Sequence, residues 1–271
     1  MATLTDMQIA AYLRHIGLNT PPARDAEGLA QLQGAHMRAV PFENLDVVLG
    51  RPLDLGVGAL FGKIVERARG GYCFELNTLY AALLRGLGFA PVPMMARVWL
   101  REPVDVPPRT HLVHRVRIAG EDWLTDVGFG GAASHVPIPI RDAVVVPDPD
   151  GEVRLLRDDV FGYRVSRRNG EGWDDQFTFE FEAAHPSDIA MGNLWTETHP
   201  DSHFRHGVGV GRFGEVGRTG LYGGVLSRRK PEGIVREDVV GVAAVLEVLE
   251  REFGLRLELS DAEAERLAEL L

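Results

Sequence analysis

The chain has 271 residues, which is enough for one compact protein of two or three subdomains with a substantial core. Apolar residues make up 45% and charged residues 25% of the chain, and this balance argues against a disordered protein. The net charge of −10 disfavours nucleic acid as a partner, because phosphate binding needs a concentrated basic face. The densest basic run, Arg228-Arg229-Lys230, is interpreted as a solvated loop.

The sequence predicts a cytoplasmic protein without a membrane segment. The N terminus lacks a basic stretch followed by an apolar core, so no signal peptide is expected. No window approaches roughly 18 uninterrupted apolar residues, so a membrane is not expected as a partner. Cys73 is the only cysteine, which excludes an internal disulfide, favours a reducing compartment and argues against a cysteine-based metal site.

The first ninety residues predict helices, at 7–16, 25–39, 57–68 and 74–87. The last is the clearest, because apolar residues recur at i, i+3, i+4 and i+7 and Gly88 follows its end. From Val92 to about Leu226 the apolar runs are short and are separated by turns such as Ala119-Gly120-Glu121-Asp122, which predicts an antiparallel sheet or a small barrel. Helices are predicted again at 236–252 and from Ser260, which forms a capping box with Glu263. This order indicates an α+β fold.

The single cysteine lies at the start of the clearest helix, within Arg69-Gly70-Gly71-Tyr72-Cys73-Phe74-Glu75-Leu76-Asn77. A helix N terminus stabilises a thiolate, but by only ~0.3–2 kcal/mol. Catalytic thiols have a pKa roughly three units below that of a free thiol, which corresponds to ~4 kcal/mol. A nucleophilic cysteine here therefore needs a cationic partner, and histidine is the natural one. The alternative is that Cys73 is a small buried hydrophobe.

Two histidines, His111 and His114, lie in one predicted strand, and Asp126 lies in the strand that returns after the turn. A carboxylate in an apolar strand needs a partner, and a histidine N–H would satisfy it and fix the tautomer. If Ile118 faces Trp123, Asp126 lies opposite Arg115 and shares a face with His111 but not with His114.

A one-residue slip reverses this choice of histidine. The same register leaves His111 four residues beyond Arg115, so a bulge, a different register or strong curvature is needed to bring it to Asp126. The alternative is that Asp126 pairs with Arg115 and that both histidines are strand residues without a catalytic role.

Taken together, these segments resemble the arylamine N-acetyltransferase family. The matching motifs are Pro41-Phe42-Glu43-Asn44-Leu45, the cysteine segment from Arg69 to Asn77, Thr110-His111 and Asp126-Val127-Gly128-Phe129-Gly130. Four motifs agree in order, and the similarity extends from the first helix to the C-terminal helices. His114 departs from the pattern, because the family usually has an apolar residue there.

The resemblance implies a helical N-terminal domain at 1–90, an antiparallel β-barrel at 91–200 and a C-terminal α/β lid at 201–271, around a core similar to papain-like proteases and transglutaminases. It implies ping-pong transfer of an acetyl group from acetyl-CoA to an arylamine, arylhydrazine or N-hydroxyarylamine, with no metal. Cys73 would be the nucleophile, His111 the base and Asp126 the orienting carboxylate, with the Cys73 backbone N–H as an oxyanion donor. A homodimer is compatible with the resemblance.

The resemblance also assigns supporting and binding residues. Arg69 would support the site through Glu43 and Asn44, the alternative being an exposed salt bridge. The acceptor cleft would be lined by Phe42, Val98, Phe129 and Phe204, each of which could instead be a core residue. The predicted coenzyme A contacts are Thr110, Gly130, Gly131, His203 and Phe204. The glycines of Gly207-Val208-Gly209-Val210-Gly211 lack the context of a phosphate loop and are interpreted as a strand or loop.

Three other functions remain open on the sequence alone. An amide synthase of the same fold, which closes a macrolactam from a thioester, would share the triad. A cysteine peptidase or transglutaminase would share the Cys-His-Asp order. A binding module that retains the fold without catalysis would lack a reactive Cys73.

Overall fold

A computed structural model of the chain describes residues 3–100, 103–130, 133–149, 151–214, 217–230 and 233–271. Over these residues the helices, in chain order, are α1 Asp6–His15, α2 Ala26–Ala39, α3 Leu45–Leu49, α4 Val57–Phe61, α5 Cys73–Gly86, α6 Pro186–Thr198, α7 Val242–Phe253 and α8 Asp261–Ala268. The strands are β1 Phe42–Glu43, β2 Pro91–Val98, β3 Arg109–Ile118, β4 Glu121–Thr125, β5 Ile138–Pro139, β6 Val144–Asp148, β7 Gly151–Asp158, β8 Gly162–Asn169, β9 Gly172–Phe179, β10 Gly209–Phe213, β11 Arg218–Tyr222, β12 Val225–Lys230 and β13 Gly233–Asp238.

The predicted α+β class is confirmed. An antiparallel sheet in the order β5-β4-β3-β2-β9-β8-β7-β6 curls until its two edge strands lie near each other, so that it forms a nearly closed barrel. Its interior is filled mainly by β-branched and aromatic side chains, including Val113, Val153, Val165, Phe177 and Phe179. Helices α1, α2 and α5 pack around a separate helical core, in which Leu29, Leu32, Leu76 and Leu79 are completely buried.

A second sheet, in the order β1-β10-β11-β12-β13, forms the remaining wall of the molecule. One face of this sheet packs on α7, where Val210 and Leu221 meet Val245 and Leu249. Its first strand comes from residues 42–43, which precede the cysteine helix in sequence. The basic run Arg228-Arg229-Lys230 lies in β12, so its interpretation as a loop is wrong.

Three further differences from the sequence predictions concern helices. The helix predicted at 57–68 changes at Gly62 into a π-helical turn, Gly62–Glu66, which buries Lys63. Helix α6 was missed within the predicted β region, although Pro186 at its first position is a typical helix start. The helix predicted from Arg236 begins at Val242, because Arg236 pairs with Ser227 in the β12–β13 hairpin and Gly241, at φ +87°, separates the two elements.

The β3–β4 hairpin has a tighter turn than the sequence suggested. Ile118 pairs with Glu121 and Val116 with Trp123, so only Ala119 and Gly120 form the turn. Both have positive φ, +50° and +90°, as a type I′ turn requires. The predicted register was therefore wrong by two residues. A shift of two keeps every side chain on its face, so Asp126 still shares a face with His111 and comes closer to it.

Ala119 is strained in this turn, because a left-handed conformation costs a residue with a Cβ about 1–2 kcal/mol and asparagine tolerates it better. Ala119→Asn is expected to raise the free energy of unfolding by about 1 kcal/mol, measured by urea denaturation. Gly120→Ala is the matched control and should lower it. If Ala119→Asn is neutral or destabilising, the turn does not hold this conformation in solution.

In the part of the chain that the structure describes, the helices are too short or too polar to span a bilayer.

Candidate active site

The nucleophile candidate, Cys73, is the first residue of α5, and the residue is 3% exposed. Its Sγ lies 3.7 Å from the carbonyl oxygen of Thr110 at the start of β3. The two preceding glycines are required by packing. A Cβ on Gly70 would lie 2.1 Å from the Pro41 carbonyl oxygen, and one on Gly71 would lie 2.9 Å from the Glu75 side chain. The glycines therefore allow the loop to pass close to the chain before β1 and into the helix.

His111 and Asp126 form a direct pair beside this cysteine. His111 Nε2 lies 2.7 Å from Asp126 Oδ2, and both side chains are buried. The second oxygen of Asp126 accepts hydrogen bonds from the Asn77 amide at 2.8 Å and from the Gly128 backbone N–H at 2.8 Å. Burial opposes the charge of Asp126, but these donors and His111 hold the pKa of the carboxyl below its usual range. Asp126 is thus a carboxylate with each oxygen occupied.

The pKa of His111 is shifted in the opposite direction. Burial disfavours its protonated form, yet the charge of Asp126 and hydrogen bonds to Asp126 and Cys73 raise the pKa of the imidazole well above its usual range. The ring is also held edge-on by Phe129 and tilted against Phe177, at centroid distances of 4.9 and 5.2 Å. The protein therefore stabilises an imidazolium next to the thiol.

His114 has the opposite environment. It is completely enclosed, and burial with the nearby charge of Arg85 lowers its pKa to about 3. Its Nδ1 has no hydrogen-bond partner in the described structure. His114 is therefore a neutral core residue. The alternative pairing of Asp126 with Arg115 is also wrong, because Arg115 binds Asp122, at 3.3 Å.

Asn77 was missed as a member of the site. It lies one turn after Cys73 on α5 and is fully buried. Its amide nitrogen binds Asp126 and the Leu112 carbonyl oxygen, and its Oδ1 accepts from the Val127 N–H at 3.1 Å. A polar residue at i+4 from the cysteine, on the apolar face of the helix, was the available signal. Gly128 completes this contact, since a Cβ there would lie 2.7 Å from both Cys73 Cα and the Asn77 amide.

The residues predicted to support the site belong to a buried charge cluster, formed by Glu43, Asp46, Lys63, Arg69 and Glu75. Arg69 binds Glu43 at 2.7 Å and Asp46 at 3.0 Å, with only 11% of its side chain exposed, so the alternative of an exposed salt bridge is wrong. Asn44 does not take part. Its side chain instead binds the backbone of Phe204, Gly207 and Gly209, which attaches β1 to the segment that leads into β10.

A cleft of about 1040 Å³ opens between the barrel and the second sheet and reaches Cys73 and His111. Among the residues predicted for binding, the described structure places these on its wall: Phe42, Val98, Thr110, Phe129, His203 and Phe204. A Cβ on Gly130 would lie 3.3 Å from the ring of Phe42. Gly131 lies outside the described residues. Among the described residues, no group of three or more His, Cys, Asp or Glu side chains is arranged to hold a metal ion.

The second sheet contributes an unusual wall to this cleft. Phe42, Gly211, Gly220, Ser227 and Arg236 are successive cross-strand partners in one row, and all five line the cleft. The next row on the same face of the sheet adds two arginines and an apolar residue, namely Arg218, Arg229 and Ile234. The sheet thus presents two glycines near Phe42, with the ring of Tyr222 against Gly220, and a basic end away from Phe42.

A thiol at a helix N terminus, beside a histidine held by a buried carboxylate, is the arrangement of enzymes that use a thiolate nucleophile. The sequence model of the N-acetyltransferase family matches residues 25–262. An arylamine N-acetyltransferase / N-hydroxyarylamine O-acetyltransferase of Salmonella typhimurium is 36% identical over 247 residues, which cover 90% of this chain and 88% of that protein. An arylamine N-acetyltransferase of Mycolicibacterium smegmatis is 35% identical, over 98% of both chains.

The fold is also similar to that of a solved structure. The arylamine N-acetyltransferase of Mycobacterium marinum in complex with CoA has a TM-score of 0.91 and 29% identity, covering 97% of this chain and 99% of that one. A proansamycin X synthase of Amycolatopsis mediterranei is also similar, at 29% identity over 74% of this chain and 75% of that protein. The chain belongs to the arylamine N-acetyltransferase family.

Proposed function

We propose that this enzyme transfers an acetyl group from acetyl-CoA, through a thioester on Cys73, to the nitrogen of arylamines, arylhydrazines or N-hydroxyarylamines. The observation that carries the proposal is the buried Cys73–His111–Asp126 arrangement at the inner end of the cleft. The family supports the same chemistry, since its solved members include a complex with CoA. The predicted cytoplasmic location and the absence of a nucleic-acid partner remain part of the proposal.

The reaction follows from the charges of these residues. The Cys73 thiolate attacks the thioester carbonyl, and the oxyanion lies where the first N–H groups of α5 lack intrahelical partners. CoA leaves as a thiol with the proton of the His111 imidazolium. The acceptor nitrogen then attacks acetyl-Cys73, His111 removes the proton from the nitrogen, and the thiolate is released with the N-acetyl product. Asp126 keeps the imidazole oriented and stabilises its charge in both halves.

The cleft fits the shape and charge of an acyl-CoA. The row that contains Gly211 and Gly220 leads from Phe42 toward the basic end, and the ring of Tyr222 lies against Gly220, so a narrow pantetheine arm would pass beside this ring. At the basic end, Arg236 and the neighbouring Arg218 and Arg229 would contact phosphate groups. Thr110, His203 and Phe204 remain predicted contacts of coenzyme A, as do Gly130 and Gly131.

The acceptor is proposed to bind between aromatic and apolar side chains near Cys73. Phe42 and Phe204 lie 6.2 Å apart between ring centroids, and Phe129 packs on His111. Val98 completes this part of the wall. Aromatic rings pack edge-to-face or offset on such side chains, and the partly enclosed space favours a flat acceptor.

Incubation with acetyl-CoA alone is expected to leave one acetyl group on Cys73, because the first half-reaction needs no acceptor. Intact-mass spectrometry and peptide mapping measure this, and adding an aromatic amine should remove the group. Cys73→Ala is the control and should stay unmodified. A wild-type protein that remains unmodified, or that carries the acetyl group on a lysine, would refute the covalent mechanism.

The similarity to proansamycin X synthase supports a second candidate, an amide synthase that closes a ring from an acyl thioester. Both reactions use the same thioester on Cys73 and differ in the acceptor. A turnover screen of acyl-CoA donors against aromatic amines and hydrazines distinguishes them. Acylation by a long acyl thioester, with no turnover of free aromatic amines, would favour the amide synthase.

A further inference from the structure

Lys63 is a buried cation close to the N terminus of the cysteine helix. The π-helical turn Gly62–Glu66 directs its side chain inward, where only 10% of it is exposed. Its Nζ lies 2.6 Å from Asp46, 2.7 Å from Glu75 and 4.0 Å from Glu43. Such a bulge within a helix is uncommon and is frequent at functional sites.

The cluster connects Lys63 to the residue before the nucleophile. Glu75 occupies the first turn of α5, and its Oε2 accepts a hydrogen bond from the Tyr72 backbone N–H at 3.1 Å. Its Oε1 accepts from Lys63. Burial raises the pKa of Glu75 to about 7, against the lowering effect of Lys63 and with a further rise from Glu43 and Asp46. Lys63 is therefore the group that favours an ionised Glu75.

The charges of the cluster do not cancel. Three carboxylates, those of Glu43, Asp46 and Glu75, face two cations, Lys63 and Arg69. Arg51 approaches Asp46 only to 3.7 Å and binds Glu263 at 2.6 Å. Without Lys63 the region beside α5 would carry excess negative charge, which opposes a thiolate at the same helix end.

We propose that Lys63 is a positioning residue for the Cys73 thiol, because its ammonium group balances the carboxylates around Glu75 and thereby favours the thiolate. This inference rests on the proposed nucleophilic role of Cys73. Burial opposes the protonation of Lys63, but its three carboxylate neighbours raise its pKa well above the usual range, so the charge persists across the pH range of a thiol assay. Three titratable residues lie close to the thiol, namely His111, Asp126 and Tyr72. All three stay unchanged in the variants below.

The test measures the pH dependence of iodoacetamide labelling of folded Cys73 in Lys63→Met, Lys63→Arg, Glu75→Gln and the double variant. A unit charge beyond contact distance, at an effective dielectric of about 20, changes an ionisation by about one pH unit. Lys63→Met should move the labelling midpoint to higher pH, and Lys63→Arg should restore it. The Glu75→Gln background removes the titration of that carboxyl, so adding Lys63→Met there changes only one charge. This addition should raise the pH midpoint of labelling by about one unit, or slow labelling about tenfold at fixed pH.

Near-UV circular dichroism on each variant separates this effect from loss of folding. A structural role alone would reduce the yield of folded protein and leave the midpoint where it was. The proposal is overturned if folded Lys63→Met, in the Glu75→Gln background, labels with the same midpoint as Glu75→Gln alone. If wild-type Cys73 labels no faster near neutral pH than an ordinary thiol, the proposed nucleophile itself fails, which is a different result.

Discussion

His111→Ala is expected to abolish acetyl-Cys73 formation, with a loss on the order of 10³-fold or more. The substitution removes the imidazolium that stabilises the thiolate and leaves a thiol that is only a few per cent ionised at neutral pH. It also removes the acid that protonates departing CoA. Single-turnover acetylation followed by mass spectrometry measures the effect.

His114→Ala is the matched control, because the same residue type is removed from the same strand. His114 is buried and neutral and lies on the opposite face of β3 from His111, so its removal should change the acetylation rate by less than about tenfold, or ~1.4 kcal/mol. Near-UV circular dichroism must show that both variants are folded, since a buried strand residue also matters for packing. An inactive His114→Ala and an active His111→Ala would assign the base to His114.

Asp126→Asn is expected to lower the acetylation rate by roughly 10³–10⁴-fold, as loss of the orienting carboxylate does in other triads. The asparagine keeps the shape of the side chain but no longer stabilises the imidazolium or fixes its tautomer. The iodoacetamide labelling profile of Cys73 should therefore move to higher pH. An unchanged profile on folded protein would mean that Asp126 serves only the structure of the β4 end.

The same variant has a pH-dependent effect on stability. The pKa of Asp126 is lowered on folding. Its contribution to the free energy of unfolding is therefore present above about pH 4 and is lost as the pH falls through the folded pKa. The pKa of His111 is raised, so its contribution is complete below about 6.5 and is lost as the pH rises toward the folded value. The difference in unfolding free energy between wild type and Asp126→Asn should be largest between about pH 4 and 6.5. A difference that does not vary with pH would contradict the ion pair.

Local sequence patterns predicted a large part of this molecule. The apolar periodicity of α5, the capping box at Ser260 and the turn chemistry after Pro91 depend on neighbouring residues, and those elements are present. The position of Cys73 at a helix start was likewise a local property. The choice of His111 over His114 rested on the Thr110-His111 motif and on which face of the hairpin each histidine occupies. An error of two residues in register leaves every side chain on its face, so the choice was unaffected.

Contacts between residues distant in sequence were harder to predict from the sequence. No local pattern shows that Asn77 meets Asp126, that Asn44 binds the chain before β10, or that Lys63 turns inward through a π bulge. Each contact joins segments that are distant in sequence, and each satisfies a buried polar group whose partner the sequence does not name. The helix predicted from Arg236 failed for the same reason, because cross-strand pairing with β12 overrides local helix propensity.

The position of β1 within the second sheet also constrains how the protein folds. Asn44 and Gly209, which join this strand to β10, are 165 residues apart in the chain. A contact of such high sequence separation closes a long loop and is expected to form late, after the local helices and hairpins. During synthesis, the segment from Phe42 to Asn44 has no strand partner until β10 has been synthesised. Nascent and C-terminally truncated chains would then hold the cysteine helix before the cleft is finished, so that the thiol is formed earlier than its binding site.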